Sequence, residues 1–152
     1  MSKIIWNSTL SLGIESIDNE HKRLIEISNN LVDLVRIGKI QESKILFHEL
    51  REYTVTHFNN EETYMLRVKY PNLEKHKAEH SELKKSVKIF QDDLYRQQEI
   101  RAEEVYEFIK HWLIDHVLYS DMNIKKFLAQ APEDAKNKSG NGVHEVLEKD
   151  KA

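Results

Sequence analysis

Histidine and acidic residues recur in this chain at spacings that would bring them together inside a helical bundle. The candidates are His21, His57 with Glu61, His76 with His80, and His116 with Asp121. Residues four positions apart lie on one face of a helix, and imidazole and carboxylate groups that converge in a bundle core typically bind dinuclear iron. Because an unpaired buried polar group costs about 1–3 kcal/mol, we interpret the seven groups as one metal site.

Four amphipathic helices would position these side chains. The chain contains only four Gly and two Pro, and they fall between segments with a helical period. We predict a first helix from a cap among residues 16–19 to residue 37, where Gly38 stops it. The other predicted helices span about 40–67, 73–97 and 102–129. The third has the clearest apolar stripe, which consists of Leu73, His76, His80, Leu83, Val87, Phe90 and Leu94.

Short connections between these helices predict the fold class and the domain organisation. We expect an all-α fold, an antiparallel up-down-up-down four-helix bundle. One domain would cover residues 1–130, beginning with an N-terminal arm at 1–15 that carries Trp6. Residues 131–152 are rich in turn-formers and poor in apolar side chains, which predicts a flexible C-terminal tail.

Composition excludes several classes of function. Charged residues make up 32% of the chain with a net charge of −3. Both signs are interspersed, so we expect no nucleic-acid binding and no membrane binding. The chain has no cysteine, which excludes thiolate catalysis and iron–sulfur clusters and leaves nitrogen and oxygen as metal ligands. No signal-peptide pattern or long apolar run occurs, and a cytoplasmic location is the expectation.

The three other histidines are expected to be solvated. His48 lies off the apolar stripe of its helix, and His144 lies in the predicted tail. His111 and Asp115 imitate a ligand pair with a spacing of four, but they share a polar helix face. We therefore interpret them as a surface ion pair.

Four stretches of sequence, taken together, identify a protein family far more specifically than any single pair of histidines does. They are GIESIDNEHKRL around His21, HFNNEETYM around His57, YPNLEKHKAEH around His76 and His80, and WLIDHVLYSD around His116. In this order and spacing the chain resembles the bacterial hemerythrins over about residues 6–128. That family consists of single-domain, non-haem di-iron proteins that bind oxygen. Glu20 stands where the family commonly has Gln, and Val117 stands where Ile is usual, but neither change removes a ligand.

The resemblance implies a cofactor of two iron ions (Fe2+/Fe3+) and a role for each candidate. One iron would be held by His76, His80 and His116, and the other by His21 and His57. Glu61, Asp121 and an oxo or hydroxo group would bridge them. One iron then lacks a sixth ligand, and the resemblance implies that dioxygen binds there. The implied oxygen pocket consists of Leu24, Phe58, Trp112, Leu113 and Val117.

The function implied is reversible dioxygen binding for transport, storage or delivery, and not catalysis. Delivery would add an oxygen-consuming partner protein. Two alternatives stay open: an oxygen or redox sensor read by a partner, and a di-iron enzyme acting on peroxide or nitric oxide. A metal that mainly stabilises the bundle would be a variant of the second. Ferritin-type chemistry would need a Glu-x-x-His motif on each of two helices, which differs from the spacings of four and five found here.

One spacing does not fit a regular α-helix. His116 and Asp121 are five residues apart, so at about 100° per residue their directions diverge by about 140°. A π-bulge near residues 118–120 would bring both side chains to one face. The alternative is that Asp121 reaches the site from its flank.

Overall fold

The computed structural model describes residues 2–130 as an arm followed by four helical runs. A short 3-10 turn at Ser8–Leu10 precedes the helices α1 (Glu15–Arg36), α2 (Ile40–Arg67) and α3 (Leu73–Leu94). The fourth run contains α4 (Ala102–Ile109), two π-helical segments (Lys110–Asp115 and Val117–Asp121) and α5 (Met122–Gln130). Residues 2–130 form no strand, which confirms the predicted all-α class for this part of the chain.

Neighbouring runs pack side by side because the connections between them are short. Helix α1 packs against α2 and α4, and α2 packs against α3. Three residues join α1 to α2 and five join α2 to α3, which is too few for the chain to cross to the other end of the bundle. The predicted up-down-up-down four-helix bundle is therefore confirmed.

The N-terminal arm packs into the core instead of extending into solvent. Ile4, Leu10 and Leu12 are each at most 6% exposed. The backbone N–H of Ile4 donates to Asn29 Oδ1 at 2.9 Å, and Asn29 Nδ2 donates to the carbonyl oxygen of Ile4 at 2.8 Å. These two bonds attach the start of the arm to the middle of α1.

The predicted start of the first helix is wrong. Helix α1 begins at Glu15 with Ile14 as its cap, and the cap makes no side-chain hydrogen bond. The Asp18 carboxylate accepts from the backbone N–H of Leu12 at 2.8 Å and from Ser11 Oγ at 2.5 Å. Asp18 therefore anchors the returning arm, which leaves it no role as an N-cap.

Gly38 ends α1 as predicted. Its φ is +80°, and the N–H groups of Gly38 and Lys39 donate to the carbonyls of Val35 and Leu34 at 3.1 and 2.9 Å. This pair of bonds is a Schellman motif, which needs a left-handed residue just after the helix.

The same motif ends α2 with a lysine in place of glycine. Lys69 has φ +59°, and the N–H groups of Lys69 and Tyr70 donate to Leu66 and Met65 at 3.2 and 2.9 Å. A left-handed conformation costs a residue with a Cβ about 1–2 kcal/mol. The sequence contains no glycine here to signal the motif.

Helix α3 ends three residues earlier than predicted, at Leu94. After Leu94 the backbone changes to tighter turns, because Arg96 and Gln97 donate to Asp93 and Leu94, each three residues back.

The predicted tail at 131–152 lies outside the described residues, so the boundary at 130 stays a prediction. Among the helices of residues 2–130, none has the length and apolar character needed to cross a bilayer.

The two Schellman motifs predict opposite effects of substitution. Lys69→Gly should raise the free energy of unfolding by about 0.5–1 kcal/mol, since it removes left-handed strain but adds freedom to the unfolded chain. Gly38→Ala should lower it by about 1 kcal/mol. A Cβ at Gly38 would meet no described atom within 4 Å, so backbone strain alone would act. Urea unfolding measures both changes.

Lys77→Gly is the control, because Lys77 is an exposed residue inside α3. It should lower the free energy of unfolding by about 1 kcal/mol. A Lys69→Gly protein that is destabilised like this control would contradict the strain argument.

Candidate metal centre

The structure brings all seven candidate side chains together in the core of the bundle. Each of the four helical runs contributes at least one of them, and none of their side chains is more than 7% exposed. Helix α1 contributes His21, α2 contributes His57 and Glu61, α3 contributes His76 and His80, and the fourth run contributes His116 and Asp121.

The donor atoms of these side chains form two groups that share two carboxylates. Each group contains Glu61 and Asp121, and within a group the donor atoms lie within 4.8 Å of one another. The first group adds His76, His80 and His116, and the second adds His21 and His57. This is the same division of three and two histidines that the resemblance implies.

In the first group the histidines direct their Nε2 atoms at the carboxylates. His76 Nε2 lies 2.9 Å from Glu61 Oε1 and 3.0 Å from Asp121 Oδ1. His80 Nε2 lies 2.9 Å from the same Glu61 oxygen. His116 Nε2 lies 3.1 Å from Asp121 Oδ1. Three imidazoles therefore surround the Oε1 and Oδ1 side of the two acids.

The second group uses the other oxygens of the same acids. His21 Nε2 lies 3.1 Å from Asp121 Oδ2, and His57 Nε2 lies 3.3 Å from Glu61 Oε2. The two Nε2 atoms are 3.1 Å apart. Ligand bonds of about 2.1 Å set neighbouring ligand atoms about 3 Å apart, so this spacing fits two nitrogens on one cation.

The unsatisfied atoms of the cluster also fit a metal. Among the described residues, no hydrogen bond of acceptable geometry reaches Glu61 Oε2, either carboxylate oxygen of Asp121, or His116 Nε2. Imidazole nitrogens lie close to these oxygens, but proximity without alignment does not satisfy a buried acceptor. Cations placed between the nitrogens and the carboxylates would satisfy both, so the residues present fit a pair of metal ions.

Carboxylates behind two of the histidines orient the rings. His57 Nδ1 is 2.7 Å from Glu20 Oε1, and Glu20 Oε2 accepts from Asn60 Nδ2 at 2.7 Å. His80 Nδ1 is 2.7 Å from Glu62 Oε2. When Nδ1–H donates outward, the Nε2 lone pair faces the site, which is the arrangement a metal-binding histidine needs.

Sequence reasoning missed the supporting role of Glu20 and Glu62. Both acids lie beside candidate ligands in the sequence, but each supports a histidine on a different helix. Spacing along one helix cannot reveal a contact across the bundle. An acid adjacent to a ligand was the only signal available.

The fourth run contains the predicted π-helical segment between His116 and Asp121. Val117–Asp121 is a π-helical segment, and it brings Asp121 to the same donor group as His116. A second π segment at Lys110–Asp115 was not predicted. The backbone between the two segments, at His116, stays in the right-handed helical region, so the run continues without a break.

The predicted oxygen-pocket residues lie in the core. All five side chains are buried: Leu24, Phe58, Trp112, Leu113 and Val117. The Phe58 ring stacks on His80 with centroids 3.8 Å apart, and Trp112 Nε1 donates to the carbonyl of Leu83 at 2.9 Å. Their burial fits a wall beside the cluster, and their role as an oxygen pocket stays a prediction.

Two of the three histidines outside the candidate site lie on the surface, as expected. The side chains of His48 and His111 are each 65% exposed. His111 Nδ1 lies 3.3 Å from Asp115 Oδ2, which confirms the surface ion pair. His144 lies outside the described residues.

The carboxylates control protonation of the cluster. Burial by itself lowers the pKa of each histidine, but Asp121 and Glu61 outweigh it and raise the pKa of His116 to about 10. The same balance raises the pKa of His76 to about 9, and Glu20 with Glu61 raises that of His57 to about 9. Burial raises the pKa of Glu61, yet hydrogen bonds from histidines hold it well below its ordinary range.

These shifts predict opposite pH dependence for the metal-free and the metal-loaded protein. A raised histidine pKa stabilises the metal-free fold below about pH 6.5, and this contribution is lost as the pH rises through about 9 to 10. Metal binding needs deprotonated donors, so its stabilisation grows over the same range. Between pH 6.5 and pH 9, the free energy of unfolding of the metal-free protein, measured by urea unfolding, should fall relative to that of the metal-loaded protein.

His48→Ala should leave both pH profiles unchanged, because His48 lies outside the cluster. Metal-free stability that increases from pH 6.5 to 9 would contradict the assignment of buried, protonated histidines.

Comparison with known proteins agrees with this geometry. Residues 12–128 match the family model of the hemerythrin HHE cation binding domain. The chain is 33% identical to a bacteriohemerythrin of Clostridium acetobutylicum over 122 residues, which cover 77% of this chain and 95% of that protein. It is 29% identical to a bacteriohemerythrin of Pseudomonas aeruginosa over 121 residues, covering 80% and 78%.

Solved structures give the same result. A crystal structure of wild-type hemerythrin superimposes with a TM-score of 0.72 at 26% identity, covering 83% of this chain and 95% of that one. A crystal structure of a leucine-to-alanine mutant of hemerythrin also has a TM-score of 0.72. From the matched domain, the relatives and the shared fold, we conclude that the chain belongs to the hemerythrin family and is similar to its bacterial members.

Proposed function

We propose that the chain binds dioxygen reversibly at a pair of iron ions, as an oxygen carrier or store. The observation that carries this proposal is the asymmetric donor set. Two buried carboxylates are shared by three histidines on one side and by two on the other. The side with His21 and His57 has one imidazole fewer, which leaves a position for an external ligand.

The types of donor favour reversible binding over oxidation chemistry. Five neutral imidazoles and only two carboxylates would bind the metals. Less negative charge leaves the reduced, divalent state accessible, whereas carboxylate-rich sites stabilise highly oxidised metal. When bound, an iron pair would supply the electrons for the capture of dioxygen and regain them on its release.

The surrounding residues would keep the site ordered and dry. Glu20 and Glu62 hold two imidazoles in place through 2.7 Å hydrogen bonds, so little reorganisation accompanies ligand binding. Leu24, Leu113 and Val117 are each at most 5% exposed. We assign to this apolar wall the exclusion of water and protons, which slows irreversible oxidation of the metal.

Anaerobic reconstitution of the metal-free chain with Fe(II), followed by air, tests the proposal. We expect two irons per chain and a visible absorption that appears with oxygen and disappears when oxygen is removed. Colourless or irreversibly oxidised protein would refute reversible binding. Steady consumption of peroxide or nitric oxide would indicate an enzyme instead.

His57→Ala should abolish the oxygen-dependent colour and reduce the iron content to about one per chain, because it removes one of only two imidazoles on its side. Iron analysis and visible spectra measure the change. His48→Ala and His111→Ala are matched controls at exposed histidines and should keep both iron and colour. Unchanged colour in the His57 variant would refute the ligand assignment.

Val117→Ile should slow autoxidation of the oxygenated protein, since the added methylene thickens the apolar wall where Val117 is 2% exposed. Decay of the oxygenated spectrum gives the rate. Val55→Ile makes the same change on a residue that is 42% exposed, and it should have no effect. Equal or faster decay in the Val117 variant would count against the wall.

A further inference from the structure

A small polar pocket leads from the surface toward the three-histidine side of the cluster. It lies between α3 and the second π segment and is lined in part by Lys75, His76, Glu79 and Ser120. Its volume of about 30 Å3 is enough for about one water-sized particle. A cation inside it would need lining oxygens in place of most of its water shell.

The cluster comes nearest to solvent at this edge. His76, which lines the pocket, is 3% exposed, and His116, which lines a neighbouring groove bordered by the same Lys75 and Glu79, is 7% exposed. The other five side chains are at most 2% exposed. His76 both lines the pocket and contacts the two shared carboxylates. A cation in the pocket therefore lies against a residue of the donor set.

Glu79 differs from the two acids that support histidines. Glu20 and Glu62 lie 2.7 Å from their imidazole nitrogens, but Glu79 Oε2 lies 3.8 Å from His116 Nδ1. That distance is too long for a hydrogen bond. Glu79 accepts instead from the Ser120 hydroxyl, and its side chain is 35% exposed, against 5% for Glu20 and 21% for Glu62.

We infer that Glu79 captures divalent cations from solvent and passes them through this pocket to His76 and His116. The inference rests on the proposed metal site but not on oxygen binding. The exposed carboxylate attracts the cation at the mouth, and the buried carboxylates attract it further inward. Lys75 lines the same pocket, and its positive charge opposes uptake, so the two residues together set the rate of loading.

Uptake of Co(II) by the full-length, metal-free chain tests this route, because bound Co(II) absorbs visible light and needs no oxygen. Stopped-flow mixing gives the association rate, and mixing with excess chelator gives the release rate. Glu79→Gln keeps the shape of the side chain and removes its charge. It should slow uptake and release alike, by about three- to tenfold, and leave the dissociation constant unchanged.

Two further variants separate a local effect from a general one. Lys75→Gln should accelerate uptake by about twofold or more, because it removes the opposing charge. Glu74→Gln removes an exposed acid from the first turn of α3, where Glu74 pairs with Lys77 at 3.9 Å, and it should leave both rates unchanged. The effect of Glu79→Gln should shrink at high salt, since exposed charges are screened.

Three results would overturn the inference. A Glu79→Gln chain with normal uptake but faster release would show that Glu79 supports His116. Equal slowing by Glu74→Gln would show a non-specific charge effect. Uptake rates independent of Co(II) concentration would show that the bundle must open first. A metal-free chain that binds no Co(II) at all would instead refute the metal site on which the proposed function depends.

Discussion

The burial of two carboxylates in the middle of the bundle is the constraint on which the rest of the structure depends. Glu61 and Asp121 are fully buried, and an isolated buried charge costs several kcal/mol unless it is paired. Every helical run contributes an imidazole directed at these two groups. The partners of the acids thus set the register of all four runs, because sliding any helix by one residue would remove its histidine from the cluster.

The irregular parts of the backbone serve this requirement. A regular α-helix would direct His116 and Asp121 apart, and the π segment at Val117–Asp121 removes that divergence. The Schellman motifs at Gly38 and Lys69 turn the chain back within a few residues, so neighbouring helices present their histidines at the same level. Lys69 adopts the left-handed conformation that this turn needs.

Three further carboxylates lie around the site, and they differ in their distance from the histidines and in their exposure to solvent. Glu20 and Glu62 hold imidazole rings at hydrogen-bond distance, whereas Glu79 stands back from His116 and faces the surface pocket. Glu20 and Glu62 therefore support imidazole rings, whereas the Glu79 carboxylate lies about one ångström farther from its imidazole nitrogen and is more exposed. The side with His21 and His57 has one imidazole fewer than the side with His76, His80 and His116.

The sequence by itself determined the helical class, the approximate spans of the helices, the stop at Gly38 and the seven converging side chains. These features are local or periodic, and residue type and spacing encode them directly. The five-residue step from His116 even predicted a π segment. Only the tertiary structure decided the cap of α1, the left-handed Lys69, and the different roles of Glu20, Glu62 and Glu79. Each of these depends on atoms from another part of the chain, and spacing along one helix carries no information about them.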